Sequence, residues 1–449
     1  MSSRLHTWVF SPLKARSVNK PIIVREFARL TTDQVSEPSL DRAHISRSAF
    51  DWLCRVSQRY RTSHEPALAE VVDRRTLHLD NYVGVLQTPC GARLEILPKT
   101  FDDNESSEQG RRLLQRLITS ALDIPAREAG EASLQCFETP LSEWVMTQFL
   151  VSLEHVIKRG IRSDYQRVEG RERFLRGQLD MVQQMRQPPG RAHLFNIRHD
   201  LFLPDRAENR LLKLALERVA TTTELPANWR LAQELRSLLN EIPASRNVAD
   251  DFKLWRSDRL LAHYQVAKPW CELILYHLMP LALQGEWRGI SMLFPMEKLF
   301  ERSVEQALRH QVVPGVKVTA QARSRSLCLH DKKDIFQLRP DIVLQKYTTS
   351  WVLDAKWKRV YAADRDRKYG LSESDFYQLF AYGHKYLGGK GDMALIYPAW
   401  SQFTVPLKPF DFGSDLRLWV LPFDLNGSQN GCLIHQQLTQ LPLRIHNGE

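Results

Sequence analysis

Apolar positions recur along the chain with two periods. In 75–99 they alternate: Thr76-Leu77-His78-Leu79, then Tyr82-Val83-Gly84-Val85-Leu86-Gln87, then Ala92 to Pro98. Asn81 and Pro89-Cys90-Gly91 mark the corners, so the pattern predicts a β-meander. Pro21-Ile22-Ile23-Val24 predicts an earlier strand. Helical spacing predicts helices at 44–61 (Phe50, Leu53, Cys54 and Val56 on the apolar side), 111–123, 141–158, 208–220 and 228–241. A further helical stretch, 258–283, is expected to be interrupted at Pro269. The 164–200 segment carries many Arg and Pro188-Pro189-Gly190, and predicts extended basic segments and loops. The last third predicts an amphipathic helix at 296–310, strands at 317–322, 335–345 and 351–359, a helix at 373–387 closed by Gly388, and strands at 393–397 and 416–422.

These elements divide the 449 residues into a tail (1–20), a β-rich N-terminal domain (21–140), a helical and basic linker domain (141–285) and a C-terminal α/β domain (286–449). The predicted fold class is multidomain, α+β followed by α/β. With 43% hydrophobic and 25% charged residues the composition is that of a globular chain, and it excludes collagen-like, wholly disordered and disulfide-scaffold classes. No uncharged apolar run is long enough to span a bilayer, and Met1 to Lys20 lacks the apolar core of a secretory signal. Cys54, Cys90, Cys136, Cys271, Cys328 and Cys432 include no C-x-x-C pair, which argues against a zinc ribbon and fits a reducing cytoplasm. The formal charge of +10 suits a polyanionic partner, nucleic acid above all.

The sharpest chemical signal is Arg339-Pro340-Asp341-Ile342-Val343-Leu344, followed by Trp351-Val352-Leu353-Asp354-Ala355-Lys356-Trp357-Lys358. The intervening 346–350 segment predicts a hairpin turn that brings Asp341 beside Asp354. Residues two apart in a strand share a face, so Asp354 and Lys356 point the same way. A lone Asp-x-Lys is ordinarily a solvated hairpin edge. Here it follows three apolar residues at the inner end of a core strand, where charges need a reason. Two carboxylates held together repel unless a cation lies between them. Their hard oxygens favour Mg²⁺, with Mn²⁺ as the alternative.

Pro-Asp, a hairpin and Asp-x-Lys resemble the PD-(D/E)xK nuclease signature. The wording around Asp341 and Asp354 resembles the McrC family specifically. So do Tyr82 to Pro89 with Leu94 to Lys99, Phe174-Leu175-Arg176-Gly177-Gln178-Leu179-Asp180, and Glu208-Asn209-Arg210-Leu211-Leu212. The resemblance spans roughly residues 20–425. It implies a restriction-endonuclease-like C-terminal core and a DNA endonuclease subunit of a modification-dependent, type IV restriction system. Asp341 and Asp354 would hold the metal and Lys356 would position the attacking water. The family pattern adds a helix Glu, here Glu301 with Glu297 one turn earlier as the alternative, and Gln378 on the helix after the Lys strand. Asp375, Gln378 and Tyr382 share one face of that helix. The resemblance also implies a partner, a hexameric McrB-like AAA+ motor. The N-terminal part of the chain would enter that assembly and stimulate hydrolysis.

The chain has no G-x-x-x-x-G-K-[ST], so GTP or ATP would act only through the partner. Lys158-Arg159-Gly160-Ile161-Arg162, with Arg167, Arg171, Arg173 and Arg176, admits three readings: a phosphate track, a face for the motor ring, or ordinary surface charge. Two alternatives to the DNA nuclease stand beside it, a non-catalytic activator of an AAA+ ring and a nuclease of the same fold directed at RNA.

Overall fold

The computed structural model describes residues 21–62, 67–99, 106–123, 140–191, 193–256, 258–277, 291–413, 415–425, 432–433 and 441–442. The expected tail, the end of the 258–283 helix and Cys136 lie outside them.

The N-terminal strands separate into two sheets. One has the order Ile22–Arg25, Arg93–Leu97, Tyr82–Gln87, Ser291–Pro295. The other has the order Arg42–His44, Arg29–Thr31, Thr76–Leu79, Ala69–Val71. The expected meander is therefore corrected. Thr76–Leu79 pairs with Arg29–Thr31 and Ala69–Val71, while Tyr82–Gln87 pairs with Arg93–Leu97. The chain changes sheets at Asp80-Asn81, where the Asp80 carboxylate accepts the Asn81 N–H at 2.8 Å. Gly84 permits the long-range pairing with Ser291–Pro295. Its φ is +131°, and a Cβ there would stand 1.9 Å from the Met292 carbonyl oxygen.

Helix Ser107–Ala121 starts with a capping box, Ser106 and Gln109 serving each other's backbone. Its buried Arg111 forks onto Glu95 of the sheet at 2.6 and 2.9 Å. The middle of the chain packs Leu141–Arg159 against Ala207–Thr222, Pro226–Leu238 and Ala267–Glu272. Pro269 sits in the first turn of that last helix, where its missing N–H costs little, rather than breaking a longer one.

The basic 164–200 segment has the expected extended stretches, but they pair into a sheet and a short helix, Met181–Met185, lies between them. Asp164–Glu172, Phe195–Leu203 and Gln178–Leu179 form an antiparallel sheet. Its faces are mostly polar, so period-two hydrophobicity did not reveal it. Cross-strand Tyr165 and Phe202 rings (5.0 Å between centroids) and ion pairs from Arg198 to Glu169 and Asp180 hold it instead. Gly177 is needed there: with φ +71°, a Cβ would meet the Arg198 carbonyl oxygen at 2.4 Å.

The C-terminal sheet has the order Lys317–Ala320, Ile342–Lys346, Thr349–Ala355, Gly391–Pro398, Leu416–Asp424, Phe410–Asp411, with Cys432–Leu433 added to Leu416–Asp424. Helices Met296–Gln311 and Glu373–Leu387 pack against Thr349–Ala355. The strand expected over 335–345 is two strands. Pro340 lacks a donor and interrupts the ladder, so Lys333–Leu338 instead forms a separate hairpin with Arg325–His330. The 373–387 helix has the expected bounds and ends at left-handed Gly388.

Packing crosses the divisions drawn at 140 and 285, while a second apolar cluster is built from Val24 to Ile96 with Leu293. One apolar cluster runs from Val83 through the helical middle into the C-terminal sheet. Ser303 of Met296–Gln311 donates to the Leu117 carbonyl of Ser107–Ala121 at 3.2 Å. Among the described residues no helix is long and apolar enough to cross a membrane.

Candidate active site

The hairpin anticipated between Asp341 and Asp354 is present. Ile342–Lys346 and Thr349–Ala355 pair antiparallel, Lys346 opposite Thr349 and Ile342 opposite Leu353, joined by Tyr347-Thr348. One step beyond the last pair, the same register places Asp341 next to Asp354. The Asp341 carboxylate accepts the Ala355 N–H at 2.9 Å, and its own carbonyl accepts the Gln321 N–H at 2.7 Å.

Asp354 is 1% exposed, at the end of a strand whose Val352, Leu353 and Ala355 are all buried. Lys356 lies just past that strand, with its N–H donating to the Ile396 carbonyl at 2.8 Å. Its ammonium Nζ stands 2.6 Å from Asp354 Oδ2, a close ion pair. Gln378 reaches the same ammonium through Oε1 at 3.5 Å, and its Nε2 donates to the Tyr382 hydroxyl at 2.7 Å. Glu301 arrives from the second turn of Met296–Gln311 and faces Asp354, Asp341 and Lys356. Lys298, Glu301, Arg302, Gln321 and Asp341 line an open cleft of about 390 Å³. A larger cavity of about 980 Å³, between 362–377 and 405–410, contains none of the five anticipated residues.

The electrostatics follow from this crowding. Burial first, then Asp354 and Glu301, push the Asp341 carboxyl up to about 8. Burial and then Asp354 push Glu301 up to about 7. Burial raises Asp354 as well, and Lys356 opposes that rise. The acids share their protons as a coupled set. The Lys356 ammonium is held above its ordinary range: its carboxylate neighbours, Asp354 foremost, outweigh its own desolvation.

Three further residues belong to this cluster. Asp375 is buried on the face it shares with Gln378, and its Oδ2 lies 3.5 Å from Lys358 Nζ. Burial, with Asp375 and Asp354 beside it, drives the Tyr397 phenol far up. The helical spacing placed Asp375 on the right face without a role. Tyr397 had no sequence signal, because its strand joins the Asp354 strand by parallel pairing some forty residues away, Asp354 opposite Leu395.

Four carboxylates thus face two lysine ammoniums. Among the described residues no three acidic, His or Cys side chains already stand close enough to hold an ion as placed. The donor set is nonetheless all hard oxygen, Asp354 is 1% exposed at its centre, and the acids repel one another. Those three facts fit a divalent cation.

A family model described as McrBC 5-methylcytosine restriction system component matches residues 77–398. No curated protein matches the chain. A chain of the refined half-complex from a tetradecameric assembly of Thermococcus gammatolerans McrB AAA+ hexamers with bound McrC is similar, with TM-score 0.65 and 19% identity over 92% of this chain and 97% of that one. The cryo-EM structure of the Thermococcus gammatolerans McrBC complex gives TM-score 0.51 and 20% identity over 69% of this chain and 90% of that one. At such identities the likeness is one of fold. The family model covers the greater part of the sequence, including both carboxylates of the hairpin, and on that ground the chain belongs to the McrBC 5-methylcytosine restriction system component family.

Proposed function

We propose that this chain is the DNA endonuclease subunit of a McrBC-like type IV restriction system, cutting methylcytosine-containing DNA on a PD-(D/E)xK core. The observation that supports it most is the convergence of Asp341, Asp354, Lys356, Glu301 and Gln378 from two strands and two helices at the end of one buried strand. Asp341, Asp354 and Glu301 would hold Mg²⁺ or Mn²⁺. When bound, such an ion polarises a phosphate and lowers the pKa of a water it carries. The chain's own groups then do the positioning. Lys356 hydrogen-bonds the attacking water and offsets charge building on the phosphorane. Gln378, braced by Tyr382, fixes where that ammonium points. Asp375 and Lys358 set the charge behind it. One such site hydrolyses one strand, so a double-strand break takes two copies of the chain.

The partner in this reading is a McrB-like AAA+ hexamer, which also brings the GTP or ATP. The similar structure holds McrB AAA+ hexamers with bound McrC. In this chain the 164–203 sheet and its connections expose Tyr165, Phe174, Leu175, Met185 and Phe202 among arginines. Exposed apolar side chains gathered on a basic arm suit a protein interface better than solvent.

The test is plasmid cleavage by this chain with a McrB-like partner, Mg²⁺ and GTP or ATP, on methylated and unmethylated DNA, with Asp354→Ala alongside. Cleavage that needs the partner, the nucleotide and Asp354 supports the reading, and methylation dependence places it in type IV restriction. Stimulated nucleotide hydrolysis with no cleavage by either form would establish an activator instead. Cleavage of matched RNA but not DNA would reassign the substrate.

A further inference from the structure

Glu26 is a carboxylate in an unusual place. It follows the Ile22–Arg25 strand of the N-terminal sheet and is fully buried. Its Oε1 accepts two donors at 2.7 Å: the Lys99 backbone N–H and the indole Nε1–H of Trp357. Its Oε2 is buried without a hydrogen bond. Burial pushes the carboxyl up to about 7. The Lys99 and Trp357 donors and the Lys99 charge pull against that rise, and Glu297 adds to it. A buried acid with an unserved oxygen is costly, and an apolar contact would join two sheets more cheaply.

What Glu26 holds explains its position. Trp357 directly follows Lys356. Its ring packs on Phe300, 5.3 Å between centroids, and Phe300 directly precedes Glu301. Both rings are buried, and Phe300 also meets Phe423 of the C-terminal sheet edge-on at 5.7 Å. One indole, carried by the residue after Lys356, therefore packs on the residue before Glu301, which comes from a different element. That indole is anchored by a residue of a different sheet, 331 positions away in sequence.

We infer that Glu26 is a positioning residue of the active site: through the Trp357 indole, the N-terminal sheet sets the spacing between Lys356 and Glu301. The inference rests on the nuclease reading of that site. It also gives the N-terminal sheet a direct mechanical path to the cleavage chemistry. A rotation of the Trp357 ring moves Lys356 on one side and the Phe300–Glu301 turn on the other.

The experiment compares wild type, Glu26→Ala, Glu26→Gln and Trp357→Phe, each with the McrB-like partner. The Gln carbonyl still accepts both donors, whereas Ala accepts neither. Glu26→Ala and Trp357→Phe are expected to lower kcat for cleavage about tenfold, the scale of other supporting-residue losses. KM for DNA and partner nucleotide hydrolysis are expected to stay at wild-type values, and Glu26→Gln to restore most of kcat. A wild-type kcat in Glu26→Ala overturns the inference, as does a loss in which cleavage and stimulated hydrolysis fall together. A second readout is independent of cleavage: the indole ¹⁵N–¹H resonance of Trp357, assigned through Trp357→Phe. Asp354→Asn is expected to shift that resonance in the wild-type background and not in Glu26→Ala. If wild type cuts nothing, the nuclease reading fails and this resonance alone decides whether Glu26 couples to the site. An unmoved resonance overturns the coupling.

Discussion

At Asp341 three effects add: burial, Asp354 and Glu301 together hold the carboxyl near 8 against an ordinary Asp value of 3.8. In the unfolded chain the group ionises near that ordinary value, whereas in the fold it keeps its proton until about pH 8. The stability associated with the neutral acid is thus fully present below the unfolded value and is lost as pH rises through the folded one. Glu301 and Glu26, both raised to about 7, act in the same direction. In EDTA, the melting temperature is expected to fall as pH rises from about 5 to about 8, and Mg²⁺ to restore more of it at the upper end. An amide ionises in neither state, so Asp341→Asn removes the cost of holding the acid protonated in the fold and is expected to raise Tm by roughly 2–4 °C near pH 8 and little near pH 5, while abolishing cleavage. Scanning fluorimetry across pH, paired with a plasmid assay, checks both halves. A Tm in the variant that follows wild type at every pH would mean that Asp341 is solvated. For Lys356→Ala, cleavage is expected to drop by about a hundredfold or more, the range of a positioned proton-handling or charge-offsetting group. Gln378→Ala is expected to cost about tenfold with Mg²⁺ affinity retained, because it touches the ammonium and not the acids. Calorimetric Mg²⁺ titration separates the two roles.

Individual elements owe their form to a few backbone constraints. Gly84 lies where the Met292 carbonyl closes on it, so Gly84→Ala is expected to disrupt the pairing of Tyr82–Gln87 with Ser291–Pro295. Because Ser291–Pro295 leads straight into the helix carrying Glu301, the damage is expected to spread: a Tm lower by more than about 5 °C and weakened cleavage. Gly177→Ala strains a turn of the arginine-rich sheet instead, away from the carboxylate cluster. Its expected signature is lost stimulation of partner nucleotide hydrolysis with an unchanged far-UV spectrum and unchanged Mg²⁺ binding. Normal stimulation by Gly177→Ala would remove that sheet from the partner interface. The strands that alternated cleanly, and the helices with sustained apolar faces, were legible in the sequence with ends off by up to about four residues, as at Ser107–Ala121. The 164–203 sheet was not, because its strands alternate between two polar faces and take their stability from cross-strand ion pairs and a ring pair. Nor was the break at Pro340 foreseen: apolar content continues across it, and only the missing donor divides the strand.

Across the whole molecule, one apolar core joins part of the N-terminal sheet to the C-terminal region, beside a second core built from Val24 to Ile96 and Leu293. The apolar cluster is continuous from Val83 to Leu441, the helices Ser107–Ala121 and Met296–Gln311 pack together, and Glu26 reaches Trp357. Residues 286–449 expressed alone would lose the partner strand of Ser291–Pro295 and expose the Phe300–Trp357 contact. That fragment is expected to show no cooperative unfolding transition and no cleavage, whereas the full chain unfolds its two ends together. Differential scanning calorimetry of both would settle this, and a fragment with its own sharp transition would show that the C-terminal sheet is an independent unit.

The sequence by itself determined the chemistry and its local frame. Asp341, Asp354 and Lys356 are close in the chain, and a hairpin of alternating residues brings them together with no help from distant segments. Spacing of three and four along a helix likewise put Gln378, Tyr382 and Asp375 on one face. Only the tertiary structure decided which carboxylates join that hairpin and how they titrate. Tyr397 enters by a parallel crossover, Glu301 by a helix whose angle depends on its neighbours, and Glu26 by contact between sheets. Local pattern encodes what a strand or helix presents. Burial and charge at a site depend on which surfaces meet, and those surfaces come here from segments some forty residues apart around Asp354 and 331 apart at Glu26 and Trp357.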